Sequence, residues 1–248
     1  MSASKQNNSA NKTVLVLGAN SDVAKEAIKL YINDEYNVIA ASRSTDELDA
    51  FVKQNNFAND VTVKYFDATA FDTHQQFYND LLVKPSIVLY AAGFLKNNEA
   101  AMLDWEGSFQ MMKVHYAGAV SILNIIVTGK SNTSLEKIVG LSSLSGVRGR
   151  KSNFIYGSTK SAFTQYLAGL RQYLHAKNIS VHVIVAGYIR SKMTAGLNLP
   201  ESLMLEPSFI AKAVVNTPKR FMIVPGFKWK MIYTILKIMP EKLVARLP

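Results

Sequence analysis

The sequence predicts an α/β fold, a Rossmann-type doubly wound parallel sheet in a single domain, and three observations carry that expectation. Short runs rich in Val and Ile alternate with longer stretches of helical period, the pattern of parallel strands covered on both faces by crossover helices. The first of these runs ends in a glycine from which a helix sets out, an arrangement that turns backbone N–H groups toward a phosphate. A chain of 248 residues can also bury one core without disulfides or a structural metal.

Met1 to Lys12 are polar and lack the apolar stretch of a signal peptide, so a disordered tail and a cytoplasmic location are expected. Buried strands are predicted at Thr13–Gly18, Asn37–Ala41, Val61–Phe66, Ile87–Ala91, Lys137–Leu141 and Val181–Val185, each a short apolar run. Helices are predicted to begin near Asp22, Thr45, Phe71, Ala101 and Asn153. No uncharged apolar run reaches the roughly 18 residues of a spanning helix. No repeat or linker divides residues 13–226, and residues 227–248 read as a basic amphipathic extension of the same domain. The chain has no cysteine, which excludes a disulfide framework, a thiolate metal site and a cysteine nucleophile. His74, His115, His175 and His182 show no ligand spacing, and no metal site is expected.

The turn after the first strand reads Gly18-Ala19-Asn20-Ser21-Asp22-Val23-Ala24. Glycine there lets the backbone turn sharply beside a pyrophosphate, but Asp22 and Ala24 occupy the other two positions of a three-glycine loop. Asp22 as an ordinary helix cap is the competing reading. The second strand ends Ala40-Ala41-Ser42-Arg43, with no acid to hold a ribose 2′-hydroxyl. Given a dinucleotide site, Arg43 favours the 2′-phosphate of NADP(H).

Tyr156-Gly157-Ser158-Thr159-Lys160 places Tyr156 and Lys160 four residues apart, on one face of a helix. A nearby ammonium favours the phenolate, so Lys160 is expected to lower the Tyr156 pKa toward the range useful for proton transfer. Ser143 ends the preceding strand region. An ordinary Tyr/Lys helix pair with a turn serine is the alternative.

Together these elements resemble the short-chain dehydrogenase/reductase family over essentially the whole chain from Thr13 onward. Ser143, Tyr156 and Lys160 match that family's catalytic Ser, Tyr and Lys. Gly18 matches the first glycine of its cofactor loop, and Asp67 matches the acid that holds the adenine. Ala91-Ala92-Gly93 stands where the family has Asn-Ala-Gly, and Ala186-Gly187-Tyr188-Ile189-Arg190-Ser191-Lys192-Met193 where it has Pro-Gly-x-Ile-x-Thr-x-Met. The resemblance implies NADP(H) held by Gly18, Asn20, Ser21, Asp22, Val23, Ser42, Arg43, Asp67, Ala91, Ala92, Gly93, Tyr156, Lys160, Gly187, Ile189 and Ser191. It implies hydride transfer to a ketone, with Ser145, Arg148, Tyr188 and Met193 facing the substrate. His115, in His115-Tyr116-Ala117-Gly118, replaces the family's fourth catalytic residue, an Asn that helps hold a proton-relaying water. Imidazole can hold a water as well, so His115 is a candidate catalytic residue; a satisfied core histidine is the other reading.

Within the family, Asn153–Lys160 and the tail from Phe221-Met222-Ile223-Val224-Pro225 are similar to the decaprenylphosphoryl-2-keto-pentose reductase type. That likeness implies a lipid-linked keto-sugar on a polyprenyl phosphate. A 3-oxoacyl-thioester or small-ketone reductase would share every catalytic residue, and a non-catalytic NADP-sensing protein is the reading from another class. Similar folds imply a homodimer or homotetramer.

The formal charge of +10 predicts anionic partners. From Thr217 to Pro248 seven basic residues stand against Glu241, so +6 of that charge lies in the tail. Phe221–Val224 reads as a last strand and Lys228–Met239 as a helix on which Trp229, Ile232, Tyr233, Leu236 and Met239 share a face. Met231, Ile235 and Ile238 widen that face beyond a core stripe, as in a helix lying on an anionic membrane. Packing on the domain or on a second subunit is the competing reading. No nucleic-acid partner is expected, since no binding motif accompanies the charge.

Overall fold

The computed structural model describes residues 12–130 and 132–246; apart from Lys12, the expected disordered tail lies outside the described residues. Strand and helix alternate as β1 (Thr13–Leu17), α1 (Asp22–Asn33), β2 (Asn37–Ser42), α2 (Thr45–Gln54), β3 (Val61–Tyr65), α3 (His74–Asn79), β4 (Ile87–Tyr90), α4 (Asn98–Leu103), α5 (Trp105–Met112), α6 (Gly118–Thr128), β5 (Lys137–Ser143), α7 (Phe154–Leu174), β6 (Ser180–Ala186), α8 (Pro207–Val215), β7 (Met222–Ile223), α9 (Phe227–Ile238) and α10 (Glu241–Val244). The strands form one parallel sheet in the order β3-β2-β1-β4-β5-β6-β7, with Leu15 in register with Ile39 on one side and Val88 on the other.

Residues alternate between the two faces of a strand, and here both faces are apolar. Leu15 and Leu17 face a layer built with Ile122, Leu123 and Ile126 of α6 and Phe163 and Leu167 of α7. Val14 and Val16 face the other layer, closed by Val23, Ala27 and Ile28 of α1 and Ile210 and Val214 of α8. Strand order reverses between β1 and β4, which opens a crevice at their carboxyl ends.

The predicted helix starts shift where polar side chains compete for the backbone. Asn97 accepts the N–H groups of Glu99 and Ala100 and starts α4 before Ala101; Asp104 then breaks the helix and accepts the N–H of Gly107 to start α5. The segment at Phe71 opens as a 3₁₀ turn before α3. Helix α8 was not predicted: it is nine residues long, and its start signal is Pro207 at the first helical position. The short α10 was not predicted either. Between α5 and α6, Lys113–Ala117 form a π-helical turn with His115 at its centre, a distortion frequent at functional sites. The run Trp105–Thr128 is long and apolar enough to cross a membrane, yet half of its most apolar window is buried in the fold, the composition of a core helix.

The over-wide apolar helix of the tail separates into two faces. Trp229 and Leu236 are buried, with Ile232 and Tyr233 packed beside them against the core. Phe227, Met231, Ile235 and Ile238 remain exposed on the opposite side.

Candidate active site

A cleft of about 870 Å³ runs along the carboxyl edge of the sheet, over the strand-order reversal. At one end lie Gly18, Asn20, Ser21, Asp22, Val23, Ser42, Arg43 and Asp67; at the centre Ala91, Ala92, Gly93, Ser143, Tyr156 and Lys160; toward the loop after β6 Gly187, Tyr188, Ile189, Ser191 and Met193, with Ser145 also in the lining. Residues far apart in the chain meet here because every strand of a parallel sheet delivers its carboxyl end to the same edge.

Gly18 has φ +85°, and a side chain there would run into the backbone of Ala92, so only glycine allows β1 and β4 to end this close together. Asn20 donates to Ser42 Oγ (3.1 Å) and to Ser44 O (2.8 Å), which ties the turn after β1 to the turn carrying Arg43. Asp67 Oδ1 accepts from the N–H (2.8 Å) and hydroxyl (2.9 Å) of Thr69. Buried His74 bridges Asp67 O and Ser121 Oγ and fixes that turn.

Tyr156 sits on the first turn of α7, and Lys160, one turn later, lies with its Nζ 5.8 Å from the Tyr156 ring centroid. Lys160 donates to Leu141 O at 3.1 Å. Burial pushes the Tyr156 phenol up to about 12, with a hydrogen bond from Ser143 acting in the opposite direction. Burial also lowers Lys160 to about 8. The expectation that Lys160 holds Tyr156 below its ordinary value is therefore corrected: desolvation of the phenolate is the larger effect. At neutral pH Tyr156 is a protonated phenol, a proton donor rather than a base.

His115 is fully buried and absent from the cleft lining. Its Nε2 accepts the N–H of Phe94 at 3.1 Å, and its Nδ1 lies 2.7 Å from Thr159 Oγ1, whose hydroxyl donates to Tyr156 O. With the Thr159 proton so used, Nδ1 carries the hydrogen and neither ring nitrogen is left for a water. Burial, and then the neighbouring charge of Lys160, hold the ring well below its usual pKa, so it is neutral. The water-holding role considered for the His115 side chain is corrected to one of positioning Gly93-Phe94 against α7.

Arg148, expected beside the substrate, points elsewhere. Its guanidinium donates to Leu236 O (3.0 Å), Lys237 O (3.2 Å) and Met239 O (3.5 Å) and pairs with Glu241, closing the carboxyl end of α9. In its place the structure brings Asn153 into the lining. Ser145 Oγ accepts from Asn153 Nδ2 (2.9 Å) and from Arg150 (3.4 Å), while Asn153 Oδ1 and Arg150 Nε are buried without partners among the described residues. Phe94, Lys96 and Leu199 also line the cleft unforeseen; they sit on irregular loops, where periodicity carries no signal, whereas Asn153 precedes the helix bearing Tyr156.

A doubly wound sheet with a built cleft at its topological switch point defines the class. The chain belongs to the short-chain dehydrogenase family, whose model matches residues 12–202. It is 24% identical over 244 residues to an uncharacterized oxidoreductase of Mycobacterium tuberculosis, covering 95% of this chain and 96% of that one. An uncharacterized oxidoreductase of Staphylococcus epidermidis is 26% identical over 209 residues, 82% of this chain and 89% of its own. Among solved structures, a short chain dehydrogenase from Burkholderia cenocepacia in complex with NADP superposes with a TM-score of 0.82 at 18% identity, over 96% of this chain and 97% of that one. These relatives support the fold and the family; their names specify no substrate.

Proposed function

We propose that this protein is an NADPH-dependent ketone reductase. The reading rests on one observation: Ser143, Tyr156 and Lys160 line the same cleft whose far end carries Gly18, Asn20 and Arg43. The residues present fit the cofactor. No acid ends β2, Arg43 stands there, and Asn20 Oδ1 is a buried acceptor without a partner among the described residues. The NADP in the Burkholderia relative supports the same reading. Gly18, Ser21 and Val23 would take the pyrophosphate at the start of α1, Ser42 and Arg43 the 2′-phosphate, Asp67 the adenine, and Gly187, Ile189 and Ser191 the nicotinamide end.

The bound cofactor supplies a hydride to the carbonyl carbon. Tyr156 gives its phenolic proton to the carbonyl oxygen, and the Ser143 hydroxyl donates a hydrogen bond to that oxygen as charge develops there. Lys160, cationic below about pH 8, would hold the ribose and stabilise the phenolate left on Tyr156.

For the substrate we propose a hydroxylated ketone, in its narrowest form a keto-sugar on a polyprenyl phosphate. The spare acceptor of Asn153, which lines the cleft beside Ser145, suits a hydroxyl group better than an acyl chain. Tyr188 and Met193 close the same end. Exposed apolar side chains on α5 to α7, including Trp105, Phe109 and Phe154, support a homodimer or homotetramer.

The test is oxidation of NADPH and NADH against hydroxylated ketones, plain ketones and β-ketoacyl thioesters, with Tyr156→Phe as control. NADPH is expected to be preferred, hydroxylated ketones to turn over fastest, and the control to lose about 10²-fold or more in kcat. Binding of NADPH without turnover of any ketone would replace the reductase reading with a sensor. Thioester preference would replace the substrate reading alone.

A further inference from the structure

The outer face of α9 carries a stripe that the domain does not use. Phe227, Met231, Ile235 and Ile238 are spaced four, four and three residues apart, so they stack on one side of the helix. They are 75%, 50%, 49% and 74% exposed. Lys230 and Lys237 border the stripe on one side and Lys228 on the other, all three exposed. Exposed Lys242 and Arg246 continue the charge past the helix end. No acid lies within α9, and the acid that follows, Glu241, pairs with Arg148.

The inner face of the same helix is firmly seated. Trp229 packs against Gly187, where a side chain would collide with its ring, and donates from Nε1 to Leu203 O at 2.9 Å. The exposed stripe is therefore held in place and not a frayed end.

We propose that this face of α9 docks on an anionic lipid surface. The four apolar side chains enter the interfacial region while the bordering lysines reach the headgroups, the geometry of a monotopic amphipathic helix. Charge decides between this occupant and a second copy of the chain. Two copies joined through the stripe would set rows of lysine against each other, whereas anionic headgroups neutralise them. Docking through α9 is separate from the reaction assigned to the cleft, but it sets where lipid lies relative to the substrate end. Trp229 also meets Tyr188, which lines the cleft, so lipid on the outer face lies about one helix diameter, roughly 10 Å, from the substrate end.

Co-sedimentation of the full chain with phosphatidylglycerol/phosphatidylcholine vesicles and with pure phosphatidylcholine vesicles tests this. Binding is expected only with the anionic vesicles, weakening as salt is raised. Phe227→Ser with Ile238→Ser, and separately Lys230→Glu with Lys237→Glu, are each expected to weaken it by about tenfold or more, with the thermal melt unchanged because these side chains are exposed. Light scattering on the same variants follows assembly. No binding to anionic vesicles, equal binding to neutral ones, or a serine variant that dissociates an oligomer while still binding vesicles would each overturn the proposal.

Discussion

The carboxylate of Asp22, the first residue of α1, accepts the backbone N–H of Lys192 at 2.7 Å and so joins two segments 170 residues apart across the mouth of the cleft. The Lys192 side chain pairs with Glu47 on α2, which also takes Lys25 of α1. The loop after β6 is thus strapped to both helices that follow the first two strands. Asp22 is not the helix cap considered from sequence, since Ser21 holds that position; the positive end of α1 favours its charge all the same.

Two effects of Asp22 on a phosphorylated cofactor oppose each other, and two variants separate them. Asp22→Ala releases the strap and is expected to raise the NADPH dissociation constant by about tenfold, the equivalent of one charge-assisted hydrogen bond discounted for exposure. Asp22→Asn keeps an acceptor but removes a negative charge close to the pyrophosphate, so its affinity should equal or exceed that of the parent. Fluorescence titration with NADPH reads both; equal weakening in the two variants would assign the effect to charge and not to the strap.

His115 is expected to matter for stability more than for proton transfer. His115→Ala leaves the partly buried Phe94 N–H without its acceptor, at about 1–3 kcal/mol, while the Thr159 hydroxyl keeps its bond to Tyr156 O. Urea unfolding should show a lower midpoint, and the parent enzyme's pH–rate profile should show no inflection from this ring in the ordinary imidazole range, because burial keeps it neutral there. A normal midpoint with lost turnover would restore a direct catalytic role.

The pH dependence of reduction follows from Lys160. Its pKa lies at about 8 and that of Tyr156 at about 12, so the acid stays loaded across the neutral range while the ammonium is lost as pH rises through 8. The rate is expected to be level below about pH 7.5 and to fall above it. Lys160→Met removes a buried charge whose desolvation opposes folding, so turnover should fall while the melting temperature at pH 7 holds or rises. A fall in melting temperature of several degrees would show that the bond to Leu141 O outweighs the buried charge.

The fold was legible because its signals are local or periodic. Runs such as Val14–Leu17 are buried on both faces and so stay apolar throughout, and Gly18 marks the turn after β1 because glycine alone adopts its positive φ without strain. Tyr156 and Lys160 were legible for the same reason, being one helical turn apart. What sequence could not resolve depends on distant partners. Asp22 looks like a cap until Lys192 is beside it, and Arg148 sits three residues beyond Ser145, yet it reaches 88 residues onward to Leu236. His115 was ambiguous because a neutral donor–acceptor ring fits either a water or two protein groups, and only Phe94 and Thr159 decide it. The breadth of the apolar face on α9 was visible, but its division into a packed and an open side needs Gly187 and Leu203 in place.

Arg148 offers a way to loosen α9 without touching the cleft. Its guanidinium serves three carbonyls at the end of that helix, where backbone acceptors otherwise lack partners. These bonds are partly exposed, so Arg148→Ala is expected to cost about 1–2 kcal/mol, confined to the last turns of α9 and to α10. Hydrogen exchange should rise across Leu236–Arg246 while the amides of β1, β4 and β5 keep their protection, and limited proteolysis should cut first near Lys237 or Lys242. Trp229, anchored at the other end of the helix by Leu203 O, should remain seated, so NADPH affinity is expected to stay within about twofold of the parent. Loss of cofactor binding in Arg148→Ala would mean that the carboxyl end of α9 supports the cleft directly.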